Sequence, residues 1–103
     1  MRVWVSHNRR KEEVMQFVDR SFNELFQGIA GPVKLVEGQR SWQGTTLTFS
    51  LTAKMGWIST PIQGTVEVTD RDITIDVDLG LLERLGATKA REVIGDRVRG
   101  LLK

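Results

Sequence analysis

Two stretches in the second half of the chain alternate strictly between apolar and polar residues. From Ile62 to Val68 the even positions carry Ile, Gly and Val, and the odd positions carry Gln, Thr and Glu. From Ile73 to Leu79, Ile, Val and Leu alternate with Thr and Asp. A period of two is typical of a strand in a sheet that has one apolar and one polar face. The turn residues Asp70, Arg71 and Asp72 separate the two stretches and predict that they pair as antiparallel strands.

Three further segments complete the predicted sheet. Val3 to Val5 forms a short first strand, Val33 to Arg40 a weakly alternating one, and Thr45 to Met55 a clearly alternating one. The segment Trp42-Gln43-Gly44-Thr45 predicts a hairpin turn, because Gly44 can adopt a positive φ without strain.

At both ends of the chain, apolar residues recur at a spacing of three and four instead. The first stripe follows a cap at Asn8 and ends near Gly28, which predicts one amphipathic helix. A second stripe follows a cap at Thr88 and predicts a C-terminal helix. The stripes consist of Val14, Phe17, Val18, Ser21, Phe22 and Leu25 in the first helix, and of Ala90, Val93, Ile94, Val98, Leu101 and Leu102 in the second.

These elements predict a single α+β domain over residues 1–103. Their order is β-α-β-β-β-β-α, with a four- to five-stranded antiparallel meander and two amphipathic helices on one face, a reduced helix-grip-like arrangement. We expect the helices to cover the apolar face, because leaving it in water is unfavourable. The sheet residues expected in the core are Leu47, Phe49, Leu51, Val66, Val68, Ile73, Ile75 and Val77.

The composition is that of an ordinary globular protein. The 103 residues are 40% hydrophobic and 27% charged, and the net charge is +2. The basic residues from Arg9 to Lys11 are followed directly by Glu12 and Glu13, so we interpret them as a solvated helix face and expect no nucleic-acid partner. Apolar stretches are shorter than the roughly 20 residues that span a bilayer, and the first residues lack the apolar stretch of a secretion signal. We therefore expect a cytoplasmic protein without a transmembrane segment.

The residues that could carry chemistry do not form a recognised catalytic or metal-binding pattern. His7 is the only histidine and there is no cysteine, so neither a nucleophilic triad nor a zinc site is complete. Asp70, Asp72, Asp76 and Asp78 raise the alternative of a divalent-metal or acid–base site. They lack the glycine and terminal glutamate of a calcium loop, and the first two are ordinary turn residues. We predict that the protein is not an enzyme and needs no metal or other cofactor.

Apolar residues outside the strict alternation are the candidate binding site. Trp57 lies where the chain reverses, either at Met55-Gly56 or over the wider stretch that ends at Pro61, which we expect in a loop, at a bulge or at a strand start. A tryptophan at such a position either packs against the protein or forms an exposed rim that contacts a partner. On the second interpretation, the candidate binding residues are Met55, Trp57, Ile58, Leu81, Leu82 and Leu85.

Four motifs follow one another in the central part of the chain: Trp42-Gln43-Gly44, Leu47-Thr48-Phe49, Gly64 to Asp70, and Ile75 to Leu82. In this order and spacing they resemble the small bacterial polyhydroxyalkanoic acid system proteins, also called polyhydroxyalkanoate granule-region proteins. The resemblance runs from the first strand through the final helix and supplies no catalytic residue.

The resemblance implies a cytoplasmic accessory or binding protein linked to storage-polyester metabolism. Its expected partner is a polyester granule, a granule-associated protein or a second copy of the chain. With a second copy as the partner, the protein is a homo-oligomer. The alternative is a carrier of a small hydrophobic ligand, such as an acyl group, with a cavity between the sheet and the C-terminal helix.

Overall fold

The described part of the chain folds as one five-stranded antiparallel sheet with three helices, in a computed structural model that describes residues 1–26, 34–78 and 90–102. In chain order the elements are β1 (Arg2–Ser6), α1 (Lys11–Arg20), α2 (Phe22–Phe26), β2 (Lys34–Gln43), β3 (Thr46–Met55), β4 (Ile58–Val68), β5 (Asp72–Asp78) and α3 (Ala90–Leu101). The strand order across the sheet is β1-β5-β4-β3-β2, so β2 to β5 form a meander and β1 joins it beside β5. The predicted α+β fold with a meander is confirmed.

Two-residue turns connect β2 to β3 and β3 to β4. Gly44 and Gly56 occupy the first central position of these turns, with φ of 61° and 62°. A positive φ at that position alone is the mark of a type II′ turn, whose twist matches that of the paired strands. The hairpin and the positive φ of Gly44 are confirmed, but the predicted turn began too early, because Trp42 and Gln43 pair with Leu47 and Thr46 as part of β2. After Met55 the chain reverses by the shorter of the two routes considered.

Pro61 lies inside β4, opposite Thr52 of β3, and not in the loop, bulge or strand start that the sequence predicted. Met55 and Ile58 flank the two-residue turn and form a hydrogen-bonded pair. Hydrogen-bonded and non-hydrogen-bonded pairs alternate along an antiparallel ladder, so Pro61 and Thr52, three pairs farther on, form a non-hydrogen-bonded pair. The nitrogen of Pro61 therefore points away from β3. On that side, β4 pairs with β5 only from Gln63 onward. The missing N–H therefore interrupts no ladder bond among the described residues.

The apolar face of the sheet and the helices form one hydrophobic core. All the sheet residues predicted to be in the core are buried: Leu47, Phe49, Leu51, Val66, Val68, Ile73, Ile75 and Val77. The helices contribute Val14, Val18, Phe22, Leu25, Phe26, Ile94 and Val98 to the same core. The helices therefore cover one face of the sheet, as expected. The predicted helix limits at Gly28 and Thr88 lie outside the described residues.

The predicted N-terminal helix is two helices, and it begins later than expected. The residue at the cap position of α1 is Arg10, not Asn8, and its side chain makes no capping hydrogen bond. His7 organises the approach to the helix instead, since its Nδ1 accepts the N–H of Arg9 at 3.2 Å. Ser21 ends α1 with a φ of −104° and a ψ of 12°, which departs from helical values, and α2 begins at Phe22.

Three phenylalanines fill the space between α2 and the centre of the sheet. The ring centroids of Phe22, Phe26 and Phe49 lie 5.0 to 5.2 Å apart. Gly64 of β4 makes room for them, because a Cβ atom there would lie 2.6 Å from Cζ of Phe49. It would also lie 2.6 Å from the carbonyl oxygen of Asp76, so any side chain at this position would push the strands apart.

Val66→Asp is expected to unfold the protein. Val66 is 0% exposed in the middle of the sheet, and an unpaired carboxylate there would cost about as much as the roughly 5–15 kcal/mol that stabilises a typical domain. We expect the cooperative transition to be lost in thermal and urea melts followed by circular dichroism. Thr48→Asp adds the same charge on the exposed polar face and should keep the wild-type transition. A cooperative Val66→Asp melt near that of the wild type would show that the assignment of the two faces is wrong.

Candidate functional site

The β3–β4 hairpin ends in three exposed apolar side chains, Met55, Trp57 and Ile58, which we call the hairpin tip. Trp57 is 93% exposed, Ile58 42% and Met55 39%. Met55 pairs with Ile58, and Trp57 lies in the turn between them, so the three side chains are neighbours. Clustered exposed apolar residues mark contact surfaces more often than isolated ones do. The structure brings these predicted binding residues together, and their binding role stays a prediction.

The second predicted group of binding residues lies outside the described part of the chain. It consists of Leu81, Leu82 and Leu85. Within the described residues, the candidate site lies on β2, β3 and β4.

The hairpin tip extends past the core because the β3–β4 ladder continues beyond the part of β4 that pairs with β5. The β4–β5 ladder begins at Gln63, whereas β4 itself begins at Ile58. On β3, Ala53 is the last buried residue before the turn, and Lys54 and Met55 are exposed. The described helices thus cover the hairpin only up to the level of Ala53, and the apolar residues beyond it remain in solvent.

Two lysines lie directly behind the hairpin tip, on the opposite face of the sheet from Met55. Lys34 of β2 is the register partner of Lys54 of β3, so both side chains leave the same face. The Cβ atoms of such partners are about 4.5–5.5 Å apart, and like charges at this spacing repel each other. Both lysines are exposed, and neither forms an ion pair with an acidic residue of the described ranges.

A β-bulge in β2 places the two lysines together. The register shifts between Glu37 and Arg40, where Gln39 donates its backbone N–H to Oγ of Ser50 at 3.0 Å. The bulge adds one residue to β2, and without it Lys54 would face Leu35. The lysine pair could not be predicted from the sequence, because no pattern in the sequence marks the extra residue.

The acidic residues of this polar face lie farther along the sheet. Among the described acidic residues, Asp78 is the nearest along the strands, and it pairs with Gln63 of β4. Lys54 pairs with Ser59 of the same strand. Gln63 and Ser59 are about 14 Å apart along β4. Glu67 is about 27 Å along β4 from the same serine. The polar face therefore carries the two lysine charges next to the hairpin tip, and its described acidic residues lie farther along the strands.

Two of the four aspartates that suggested a metal site, Asp70 and Asp76, lie beside basic residues. Nε of Arg2 donates to Oδ1 of Asp76 at 2.9 Å, and this hydrogen bond lowers the pKa of Asp76 and raises that of Arg2. Both groups are exposed, so solvent screens the pair. Asp70 lies 4.0 Å from Nζ of Lys11. Within the described ranges, no three His, Cys, Asp or Glu side chains are grouped as metal ligands would be.

His7 and Trp42 have structural partners. Nε2 of His7 lies 2.8 Å from the carbonyl oxygen of Thr69, while Nδ1 accepts the N–H of Arg9, which requires the tautomer protonated at Nε2. Nε1 of Trp42 donates to Oδ1 of Asp19 at 3.1 Å. Trp4, by contrast, is 58% exposed on the polar face of β1, at a distance from the hairpin tip.

Two open depressions meet on the polar face of the sheet at Thr48 and Gln63. Their volumes are about 750 and 480 Å³, and serine, threonine, glutamine and aspartate supply much of their lining. A third, of about 230 Å³, lies between α2 and α3. Pockets for small hydrophobic ligands are usually enclosed and mostly apolar, and the two depressions on the polar face do not have that character.

Comparison with family models, with curated proteins and with solved structures finds no match to this chain. The resemblance to the polyhydroxyalkanoic acid system proteins therefore stays a prediction. Among the described residues, no helix is both long and apolar enough to cross a membrane.

Asp76→Asn should make stability less sensitive to acid. Because the hydrogen bond from Arg2 lowers the folded-state pKa of Asp76, the pair stabilises the protein above the unfolded-state pKa. That contribution is lost as the pH falls through the folded-state pKa. We expect the melting temperature of the wild type to fall more steeply below about pH 5 than that of the variant. Glu67→Gln, which removes an exposed carboxylate, is the control, and equal acid profiles for wild type and Asp76→Asn would contradict the prediction.

Calcium, magnesium or zinc should leave the melting temperature unchanged. A metal that binds only the folded state raises stability in proportion to the logarithm of its concentration over its Kd. Melts in EDTA and in each metal at sub-millimolar concentration provide the measurement. A rise of several degrees with one metal would show a site that the described residues do not reveal.

Proposed function

We propose that this protein is a non-enzymatic accessory protein of polyhydroxyalkanoate metabolism that attaches to the storage-polyester granule through the hairpin tip. The observation that carries the proposal is the 93% exposure of Trp57. The sequence resemblance supplies the metabolic context and a cytoplasmic location, and the hairpin tip supplies the contact.

An exposed tryptophan at this position contributes little to the fold and much to a contact. A tryptophan side chain buries on the order of 200 Å² when covered, and at about 25 cal/mol per Å² this corresponds to roughly 5 kcal/mol before the costs of association. Met55 adds an unbranched, adaptable side chain beside it, which suits an irregular apolar surface. The hairpin tip thus combines a rigid aromatic anchor with a flexible neighbour.

The contacts of the titratable residues support a binding role over a catalytic one. His7 is held by Arg9 and Thr69, and Asp76 is held by Arg2. An acid–base mechanism would use residues such as His7 and Asp76. Through these contacts, both residues help to hold the fold. We therefore assign no catalytic residue.

A hydrophobic-ligand carrier is the other function that the sequence predicts. Such a carrier would hold its ligand between the sheet and α3, where Ile94 and Val98 are each 0% exposed. In the described part of α3, apolar side chains of the protein itself already occupy this position, so we favour the surface contact. Native mass spectrometry of the purified protein distinguishes the two functions, because a carrier retains the mass of its ligand.

Trp57→Ala should weaken binding to polyester particles by about tenfold or more and leave the melting temperature close to that of the wild type. The reason is that this side chain has almost no contact with the rest of the protein to lose. Co-sedimentation with particles, thermal melting and analytical ultracentrifugation should be measured on the same samples.

Trp4→Ala is the matched control, because it removes a second exposed tryptophan from another part of the surface. It should bind particles as the wild type does. A collapse of stability in Trp57→Ala would show that Trp57 belongs to the core. If stability, particle binding and self-association all stay unchanged, the hairpin tip is not the site. Loss of self-association without loss of particle binding would identify the partner as a second copy of the chain.

A further inference from the structure

We infer that the hairpin tip docks on a negatively charged lipid layer, with Trp57 at the boundary between headgroups and acyl chains and Lys34 and Lys54 on the headgroup phosphates. The inference rests on the proposed function, because the same hairpin tip makes the contact. It adds the chemistry of the surface, which is that of an anionic amphiphile.

The apolar part of the contact is built for an interface between water and lipid. Indole rings concentrate at the boundary between headgroups and acyl chains, where the ring is covered and the N–H remains hydrated. Trp57 lies at the apex of a two-residue turn, with Met55 and Ile58 at its base. This shape lets the aromatic ring enter a lipid layer while the paired strands stay outside.

The charged part follows from the pairing of the two lysines. Like charges directly across a ladder oppose folding, and Lys34 and Lys54 have no acidic partner among the described residues. An anion bound between the two ammonium groups would turn this repulsion into attraction. The long lysine stems can lie along apolar surface while their charged ends reach the phosphates.

Charge complementarity favours a lipid layer that is anionic. On the polar face, Asp78 lies about 14 Å along the strands from the lysine level. On the opposite face, Glu37 is paired with Arg40 at 3.0 Å. With a net charge of only +2, the protein as a whole is weakly attracted to a negative surface, so the local lysine pair orients the hairpin tip toward it.

The test uses the full chain with vesicles of phosphatidylcholine alone and of phosphatidylcholine mixed with phosphatidylglycerol. We expect the wild type to co-sediment with the anionic vesicles in preference to the neutral ones, and less so as sodium chloride is added. The double variant Lys34→Gln, Lys54→Gln should bind the anionic vesicles about 30-fold more weakly, since each lysine near such a surface contributes about fivefold in affinity. Trp57→Ala should weaken the same binding.

The matched control is the double variant Arg10→Gln, Arg71→Gln. Arg10 precedes Lys11, which approaches Asp70, and Arg71 follows Asp70 in the β4–β5 turn, so both charges lie at the end of the sheet away from the hairpin tip. The control loses the same net charge and should bind anionic vesicles nearly as the wild type does. Thermal melts of both double variants establish that they are folded.

Equal loss of binding in both double variants would show that only net charge matters and would overturn the inference. Equal binding of the wild type to neutral and anionic vesicles would overturn it as well. Either result leaves the proposed function standing if Trp57→Ala still loses binding to bare polyester particles. Conversely, lysine-dependent vesicle binding together with unchanged particle binding by Trp57→Ala would support the lipid contact and overturn the polyester contact.

Discussion

Contact between the apolar face of the sheet and the helices holds this fold together, because a hydrogen-bonded ladder alone does not keep an open sheet stable in water. β1, β3, β4 and β5 each contribute buried side chains to that contact. A strand rises about 3.4 Å per residue and a helix about 1.5 Å, so β3 and β4 reach farther than any described helix, and the described cover ends at the level of Ala53. The exposure of the hairpin tip is a consequence of this mismatch in length, and the contact surface therefore needs no adjustment of the core.

The strands and their faces could be predicted from the sequence, because a period of two holds wherever one face of a sheet is buried. The division of the first helix at Ser21 could not, since the apolar stripe continues through it without interruption. Directly after the break Phe22 packs against Phe49, a contact between residues far apart in sequence that periodicity does not reveal. The position of Pro61 was missed for a related reason, because its tolerance depends on which side of β4 has a neighbour.

The candidate site was predictable in its apolar half alone. Trp57 lies in the turn between two alternating strands, so the sequence itself indicates a large apolar residue outside the pattern that forms the core. Lys34 and Lys54 become partners only through the bulge that shifts β2 by one residue, and a bulge leaves little trace in composition or periodicity. The predicted role of Leu81, Leu82 and Leu85 lies outside the described residues and stays a prediction.

Pro61 also affects how copies of the protein behave when they are crowded together. The part of β4 from Ile58 to Ile62 pairs with no described strand on the side away from β3. An open flank beside an apolar turn invites edge-to-edge polymerisation, in which each copy extends the sheet of the next. A proline in that flank offers no N–H to an incoming strand, so the ladder cannot continue across it. Many copies can thus be concentrated on one surface through their side chains without seeding a fibre.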